Sequence, residues 1–338
     1  MTAPVEVPIA RERGWGRVMV ALVAFLVLPV TPLLRVLLPV DQTLLLLAPA
    51  LAACAIAGWF VGGRPVLALL WTGLAAWALW LPGGGNAFAW LVRGIAVLVA
   101  ALFAATTAWE IGGRFLTRAM LSISVALAVG GLSAAIVPSG TTRIRDAVSE
   151  EIGTRATAAV RGWREMTSGP EWRDLVARNP DVGPMSAQVE QQLAVLPKTA
   201  TLLFPAMLAL ELLAALAVAW SVYHRVGRAR IGPPLAALRE FRFNDQFVWG
   251  LIGGLALWLV PGVALAGALG SNLLMVFGTL YAIRGMGVAL WVLAPGRLMS
   301  VLLVITGVLF WNVLGVLALG LGLGDTWLDW RSRARSKT

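Results

Sequence analysis

The sequence predicts an all-α fold, a polytopic transmembrane helical bundle of about nine spans with one helical insert outside the membrane. Apolar residues make up 59% of the chain and charged residues 13%, whereas soluble domains average about 45–50% and about 25%. The apolar residues form runs close to the ~20 residues that cross a bilayer as a helix. These runs do not alternate as barrel strands do. The composition therefore excludes a soluble, disordered or disulfide-stabilised protein.

Nine apolar segments follow one another, and the breaks between them are short and rich in glycine and proline. They are Val18–Val40, Leu44–Val61, Pro65–Leu81, Ala87–Trp109, Phe115–Val137, Ala200–Tyr223, Phe247–Leu269, Asn272–Leu293 and Met299–Leu321. Short breaks predict that neighbouring helices are antiparallel. The chain then divides into a five-span region (1–137), a hydrophilic insert (138–199) and a C-terminal membrane region (200–338).

The insert is expected to be helical. Its first part carries apolar residues near multiples of four, which mark one helical face: Ile144, Val148, Ile152, Val160 and Trp163. Pro170 suits the first turn of a second helix, Glu171–Arg178. Ser186 is a candidate cap for a third helix around Val189–Leu196.

Positive charge is distributed unevenly along the chain. The insert carries eight basic and eight acidic residues between Arg143 and Lys198, so its net charge is zero. The loop 224–246 carries five arginines and only two acidic residues, Glu240 and Asp245, so it is basic. These arginines are Arg225, Arg228, Arg230, Arg239 and Arg242. The positive-inside rule places the loop in the cytoplasm and the insert outside. Anionic lipid headgroups explain the loop arginines more simply than nucleic acid does.

The two chain ends differ in how they fit this topology. Five spans before the insert place the N-terminus inside, in agreement with Arg11, Arg13 and Arg17. Nine spans place the basic tail outside, against the rule; its charges are Arg331, Arg333, Arg335 and Lys337. Three explanations stay open: a re-entrant late segment, such as a helix broken at Arg284–Gly287, a count wrong by one, or a tail that breaks the rule.

Ionisable residues inside spans point to function. Glu211 and Arg284 lie deep in their segments and are expected to form a buried ion pair, with either a structural role or a role in substrate or ion coupling. A misplaced span boundary is the remaining explanation. Asn272 and Tyr281 complete the candidate ligand-binding set, although an amide such as Asn272 often only joins two helices.

Catalysis and metal binding are not expected. The chain has a single cysteine, Cys54, and a single histidine, His224, which leaves little material for a metal site or a catalytic triad. Glu150-Glu151-Ile-Gly-Thr-Arg155 matches a motif of the intramembrane CAAX-type protease family. That chemistry also needs histidines from later helices, and the match lies in the hydrophilic insert. We therefore predict neither an enzyme nor a cofactor.

From about Val189 onward the order of short motifs resembles the YybS-like family of uncharacterised bacterial membrane proteins. The motifs are Gln192-Leu-Ala-Val-Leu-Pro, Gly232-Pro-Pro-Leu, Phe241-Arg-Phe, Val248-Trp-Gly-Leu, Ser271-Asn-Leu-Leu, Tyr281 with Gly285, and Leu321-Gly-Leu-Gly-Asp-Thr-Trp-Leu-Asp-Trp-Arg. That family is distantly similar to substrate-binding subunits of energy-coupling-factor vitamin transporters. The resemblance implies a helical bundle that binds a small molecule and pairs with other membrane subunits.

Two functions fit these observations in a bacterial cytoplasmic membrane. One is a transporter-like subunit that binds an unidentified small molecule between helices. The other is a membrane scaffold that docks a partner through the insert or the arginine-rich loop. The first predicts a mid-membrane cavity lined by Glu211, Arg284 or Asn272, and the second predicts that these side chains are paired with one another in a solid bundle.

Overall fold

A computed structural model shows the fold of the chain. It describes residues 15–16, 18–19, 36–80, 85–110, 113–179, 182–296, 299, 302–303, 306–307 and 310–330. Over these residues the chain forms ten α-helices and two short 3₁₀ turns, with no strand, which confirms the all-helical prediction. Some predictions lie outside the described residues; they concern Arg11, Arg13, Arg17, most of Val18–Val40, part of Met299–Leu321, and the tail with Arg331, Arg333, Arg335 and Lys337.

The chain divides into two compact units. The first extends to Phe204 and resumes over Leu208–Leu235, and the second comprises Pro205–Met207 and the chain from Ala236 onward. Seven helices precede the basic loop: α1 (Val40–Phe60), α2 (Pro65–Trp80), α3 (Ala87–Trp109), α4 (Phe115–Ile136), α5 (Gly140–Ser168), α6 (Pro170–Arg178) and α7 (Val182–Val226). Three follow it: α8 (Val248–Trp258), α9 (Ala264–Leu293) and α10 (Trp311–Leu328).

In the first unit, glycines in a turn and a capping asparagine explain where α1 ends and where α3 begins. The α1–α2 turn contains Gly62 at φ 86°, a left-handed conformation that glycine adopts at little cost. The amide of Gly63 then donates to the carbonyl of Gly58 at 2.8 Å and closes the C-terminus of α1. At the start of α3 the Asn86 side chain accepts from the amide of Ala89 at 2.9 Å, an N-cap. The predicted bounds of α3 are therefore confirmed.

The insert is helical, as expected, but its third helix was predicted wrongly. Helix α6 begins at Pro170 and ends at Arg178, as the proline predicts. Helix α7 then begins at Val182 and runs for 45 residues into the apolar segment, with no cap at Ser186 and no break at residue 199. A proline inside a helix removes one hydrogen bond, yet the helix continues through Pro197 and Pro205.

The late segments divide differently from the prediction. The expected span Phe247–Leu269 is interrupted, because α8 ends at Trp258 and α9 begins only at Ala264. Pro261 lacks an amide hydrogen, and Gly262 has φ 76°, so the two residues form a turn. Helix α9 is continuous through Arg284 and Gly287, so the suggested break at that position is wrong.

Among the described residues, five helices are long and apolar enough to cross a membrane. They are Val40–Phe60, Ala87–Trp109, Phe115–Ile136, the Ser186–Val226 part of α7, and Ala264–Leu293. Pro65–Trp80 and Val313–Leu328 are apolar but shorter. Helix α8 has 11 residues, about 16 Å at 1.5 Å per residue, which is half of a ~30 Å hydrocarbon core. The described residues thus support several spans, and the count of nine is not reproduced.

The backbone after α7 is fastened to the first unit by side chains. Four carbonyl groups between residues 229 and 233 each lie at hydrogen-bond distance from a buried or half-buried side chain: Ala229 from Tyr223, Ile231 from Arg118, Gly232 from His224 and Pro233 from Trp220. His224 also faces the carbonyl of Trp220 with its other ring nitrogen, at 2.9 Å. These contacts replace the helical hydrogen bonds that end at Val226.

In the second unit, α9 and α10 cross at glycines. A Cβ atom added to Gly285 would lie 1.7 Å from the carbonyl oxygen of Ala318, and one added to Gly322 would lie 1.9 Å from that of Tyr281. Both distances are far below van der Waals contact, so the two backbones touch only because these side chains are absent. Small residues commonly allow membrane helices to approach in this way.

Candidate functional site

Glu211 lies in the middle of α7 and is 4% exposed. Its carboxylate accepts hydrogen bonds from Gln42 Nε2 at 2.7 Å and Thr43 Oγ1 at 3.0 Å. Both donors belong to the first turns of α1 and are themselves buried. A buried carboxylate requires such partners, since leaving it without hydrogen bonds costs several kcal/mol. Neither donor carries a charge.

Gln42 connects Glu211 to the insert. Arg155 of α5 donates from Nη1 to Gln42 Oε1 at 3.1 Å. An arginine can only donate, and an ionised carboxylate can only accept. The Gln42 amide therefore has one orientation that satisfies both neighbours, with its NH₂ group toward Glu211 and its oxygen toward Arg155.

Arg155 is held in place by two further contacts. Its Nε donates to Glu151 Oε1 at 2.9 Å, one turn earlier on α5, and its guanidinium carbon lies 4.9 Å from the centre of the Phe88 ring. Asn86 Nδ2 donates to the other oxygen of Glu151 at 2.9 Å. One connected series of hydrogen bonds thus joins α7, α1, α5 and the start of α3. It runs through Glu211, Gln42, Arg155, Glu151 and Asn86. We call it the polar chain.

A cavity of about 900 Å³ opens beside the polar chain, within the first unit. Its polar wall contains Gln42, Asn86, Glu151 and Arg155 of the polar chain, together with Asp41 and Arg93, and its remaining lining is apolar. Small-molecule sites typically have volumes of about 300–1,000 Å³ and combine apolar walls with a few fixed polar groups. The cavity has both properties.

Some of the charged side chains of this cavity form contacts with a neighbouring side chain. Glu151 is paired with Arg155, and the guanidinium of Arg93 stacks at 5.4 Å from the centre of the Trp90 ring. Asp41 is exposed, in the first turn of α1. Within the part of the chain that the structure describes, no side chain forms an ion pair with Asp41.

Arg284 has different partners from those expected. Its Nε donates to Asp325 Oδ2 at 3.0 Å and its Nη1 to Asp245 Oδ1 at 2.7 Å, while its guanidinium lies over the ring of Phe243. All of these residues belong to the second unit. In place of the suggested ion pair between Arg284 and Glu211, each side chain is thus bound, within the described residues, by partners of its own unit.

Asn272 and Tyr281 are packed inside the second unit. Asn272 Oδ1 accepts from the backbone amide of Ala206 at 2.9 Å, and its Nδ2 donates to the carbonyl of Ala268 at 2.8 Å. Tyr281 is fully buried, with its ring 5.0 Å from that of Phe243. Asn272 therefore acts as the helix-joining amide that its position suggested. None of the four candidate residues lines the cavity, so the expected cavity lined by Glu211, Arg284 or Asn272 is not the one observed among the described residues. Glu211 is connected to the cavity wall through its hydrogen bond with Gln42.

The loop arginines lie at different depths. Arg228, Arg239 and Arg242 are exposed, whereas Arg225 and Arg230 are half-buried. Arg225 donates to the carbonyl of Ser221 at 2.6 Å. Arg239 pairs with Glu240 at 3.5 Å, and Arg242 pairs with Asp329. The exposed members remain accessible to lipid headgroups.

Sequence reasoning missed most of the cavity wall. Asp41 and Gln42 look like the polar edge of an apolar segment, and Asn86 like a helix cap. Glu151 and Arg155 drew attention only as part of a protease-like motif. The available signal was their spacing, since an acidic and a basic residue four apart share one helical face. No group of three or more metal-ligating side chains occurs among the described residues.

Comparison with known proteins gives one match. Residues 181–326 match a family model described as "Predicted membrane protein (DUF2232)". The chain matches no curated protein and no solved structure at a significant level. The matched region includes α7 with Glu211 and the second unit with Arg284, but not the helices that supply Gln42, Asn86 and Arg155. Together with the apolar helices, the match indicates a membrane protein similar, over its C-terminal part, to an uncharacterised family.

Proposed function

We propose that this protein binds a small amphipathic molecule in the cavity of its first unit and acts as a transporter-like binding subunit. The observation that carries the proposal is a cavity of about 900 Å³ with the polar chain on one wall and apolar side chains on the others. The polar chain fixes its donors and acceptors in advance, which lowers the entropic cost of binding.

The distribution of positive charge along the chain supports one orientation in the membrane. We propose a bacterial cytoplasmic membrane, with the insert outside and the arginine-rich loop inside against anionic lipid. The cavity is lined by the insert helix α5 and by the ends of α1 and α3 nearest to it, so it would face the outer side. The resemblance to YybS-like proteins, and through them to energy-coupling-factor binding subunits, supports this assignment.

We propose binding without catalysis and without a cofactor. His224 is 2% exposed, and both of its ring nitrogens face backbone carbonyl groups at 2.9 Å. Its structural role at the end of α7 leaves it unsuited to supporting the glutamate-activated water of a CAAX-type protease. Glu151 and Arg155 of that motif are paired with each other, which fits a ligand-orienting role better.

Cavity filling tests the proposal. Ala89 lines the cavity on α3, and Ala101 is exposed on the same helix away from it. Protein purified in lipid nanodiscs would be extracted, and the extract compared by mass spectrometry for wild type, Ala89→Trp and Ala101→Trp. A small molecule present in wild type and Ala101→Trp but depleted in Ala89→Trp is the expected result. Equal recovery from all three proteins, or from none, would count against the cavity as a ligand site.

The alternative function is a membrane scaffold, and one observation in the second unit favours it. Arg284 donates to both Asp325 and Asp245, and none of the three residues lines the cavity. Arg284 is thus satisfied inside the protein, as a scaffold requires, by Asp325 and Asp245 in place of the expected Glu211. Photo-crosslinking from Arg228 or Arg239 would distinguish the functions: a stoichiometric protein adduct in cells, with no extractable small molecule, supports the scaffold.

A further inference from the structure

We propose that Glu211 reversibly binds a proton, so that the first unit contains a proton-binding site within a membrane-spanning helix. The site consists of the Glu211 carboxylate on α7, the Thr43 hydroxyl on α1 and the carbonyl group of Pro39, the N-cap of α1. The inference goes beyond the proposed function, because it holds whether or not the cavity takes a small molecule.

Glu211 is a buried acid whose bonded partners are neutral. It lies in the apolar helical stretch Ser186–Val226 and is 4% exposed. Its two hydrogen-bond donors, Gln42 and Thr43, carry no charge. Within the described ranges of the chain, no basic side chain forms an ion pair with it. Buried carboxylates are normally paired with a cation, and uptake of a proton removes the need for one.

Two charged groups act on this carboxylate without a hydrogen bond to it, and their effects are opposite. Arg155 of α5 attracts its negative charge, and Asp41 of α1 repels it. Arg155 is already paired with Glu151 at 2.9 Å, and the Gln42 amide binds both Arg155 and Glu211. The ionised form of Glu211 is therefore left without a dedicated counter-charge.

Thr43 allows the same side chains to satisfy both protonation states. Its Oγ1 lies 3.0 Å from Glu211 Oε1 and 3.3 Å from the Pro39 carbonyl oxygen. When Glu211 is ionised, the hydroxyl donates to the carboxylate. When a proton from water forms an O–H bond at Oε1, that group donates to Thr43 Oγ1, and the Thr43 hydroxyl turns to donate to Pro39. Gln42 donates to Oε2 at 2.7 Å in either state.

The cavity gives this site a connection to water. Gln42 contacts Glu211 and also lines the cavity, so a single side chain separates the carboxyl group from water that enters there. Transporters and pumps build their proton relays from ionisable side chains inside membrane spans. A proton gradient would therefore act on the helices that form the cavity through the charge of Glu211.

Infrared difference spectroscopy in lipid nanodiscs tests the assignment, because a protonated carboxyl group has a carbonyl stretching band that a carboxylate lacks. Spectra at about pH 5 and about pH 10 bracket the range in which buried glutamates lose their proton. We expect wild type to show a band at the lower pH that disappears at the higher pH. Glu211→Gln should lack this band, whereas Glu190→Gln, which changes a partly exposed glutamate of the same helix, should retain it.

Glu211→Gln should fold, because its amide can donate to Thr43 and accept from Gln42, the pattern of the protonated acid. Two variants of Thr43 assign the band without changing Glu211. Thr43→Val should move it to a higher frequency, because the acid loses its hydrogen-bond acceptor, and Thr43→Ser should keep the wild-type frequency. A band unchanged in Glu211→Gln, or unmoved in Thr43→Val, would overturn the proton site. Absence of the band from wild type would also overturn it and would leave the proposed function to the extraction test.

Discussion

Replacing one partner of the buried pair between Arg284 and Asp325 is expected to destabilise the second unit strongly. The two side chains are only 4% and 0% exposed, and their closest atoms are 3.0 Å apart. In Asp325→Leu the buried guanidinium keeps the carboxylate of Asp245, whose side chain is 62% exposed and hydrated, and the backbone carbonyl of residue 325. Breaking a buried pair in this way costs about 3–5 kcal/mol, because an uncompensated charge remains.

Removing both partners should cost less than removing one. In the double variant Arg284→Met, Asp325→Leu no charge is left buried, and apolar side chains of similar volume fill the space. Such replacements are often neutral or stabilising. We therefore expect the double variant to be more stable than Asp325→Leu. The free energy of unfolding would be measured by titration with sodium dodecyl sulfate in mixed micelles, followed by circular dichroism.

An exposed ion pair provides the control. Arg164 and Glu190 are paired at 3.0 Å, with side chains 67% and 34% exposed. Glu190→Gln should change stability by less than about 1 kcal/mol, the usual value for surface pairs. A loss for Asp325→Leu as small as that of Glu190→Gln, or a double variant no more stable than Asp325→Leu, would refute the reasoning.

Two further substitutions probe the packing of each unit in the same titration. Gly285→Ala should destabilise the protein by about 1–3 kcal/mol, since the added methyl group meets the Ala318 carbonyl at 1.7 Å, whereas Gly278→Ala has open space around it and should be neutral; equal effects would contradict the close helix crossing. Gln42→Leu should cost about 1–3 kcal/mol by leaving buried polar groups unsatisfied, and the cost should shrink when Glu211→Leu is added. Strict additivity of the Gln42 and Glu211 substitutions would show that their hydrogen bond contributes nothing.

Features set by local sequence were predicted well. Helix α3 has the predicted bounds Ala87–Trp109, because Asn86 is a cap and Trp109 ends an unbroken apolar run. Helix α6 begins at Pro170 for an equally local reason. The boundary predicted near residue 199 was wrong, because α7 continues through Pro197 although a proline removes one helical hydrogen bond.

The site depended on contacts that no local pattern encodes. Glu211 and Gln42 are 169 positions apart in the chain, and Arg155 and Gln42 are 113 apart. Arg284 was recognised as a buried charge, but its partner Asp325 lies 41 positions away. A charged residue inside an apolar segment is expected to need a partner, but the fold determines which polar group lies close to it.

Because α7 is one continuous helix, the directions in which side chains of its two halves point are fixed relative to each other. The helix has 45 residues, which corresponds to about 68 Å at 1.5 Å per residue. Glu190 near one end faces Arg164, and Glu211 faces Gln42. Each residue advances the helix by about 100°. The two contacts therefore share one angular setting, and a rotation of the insert end of α7 about the helix axis would also rotate Glu211 relative to Gln42 and the cavity wall.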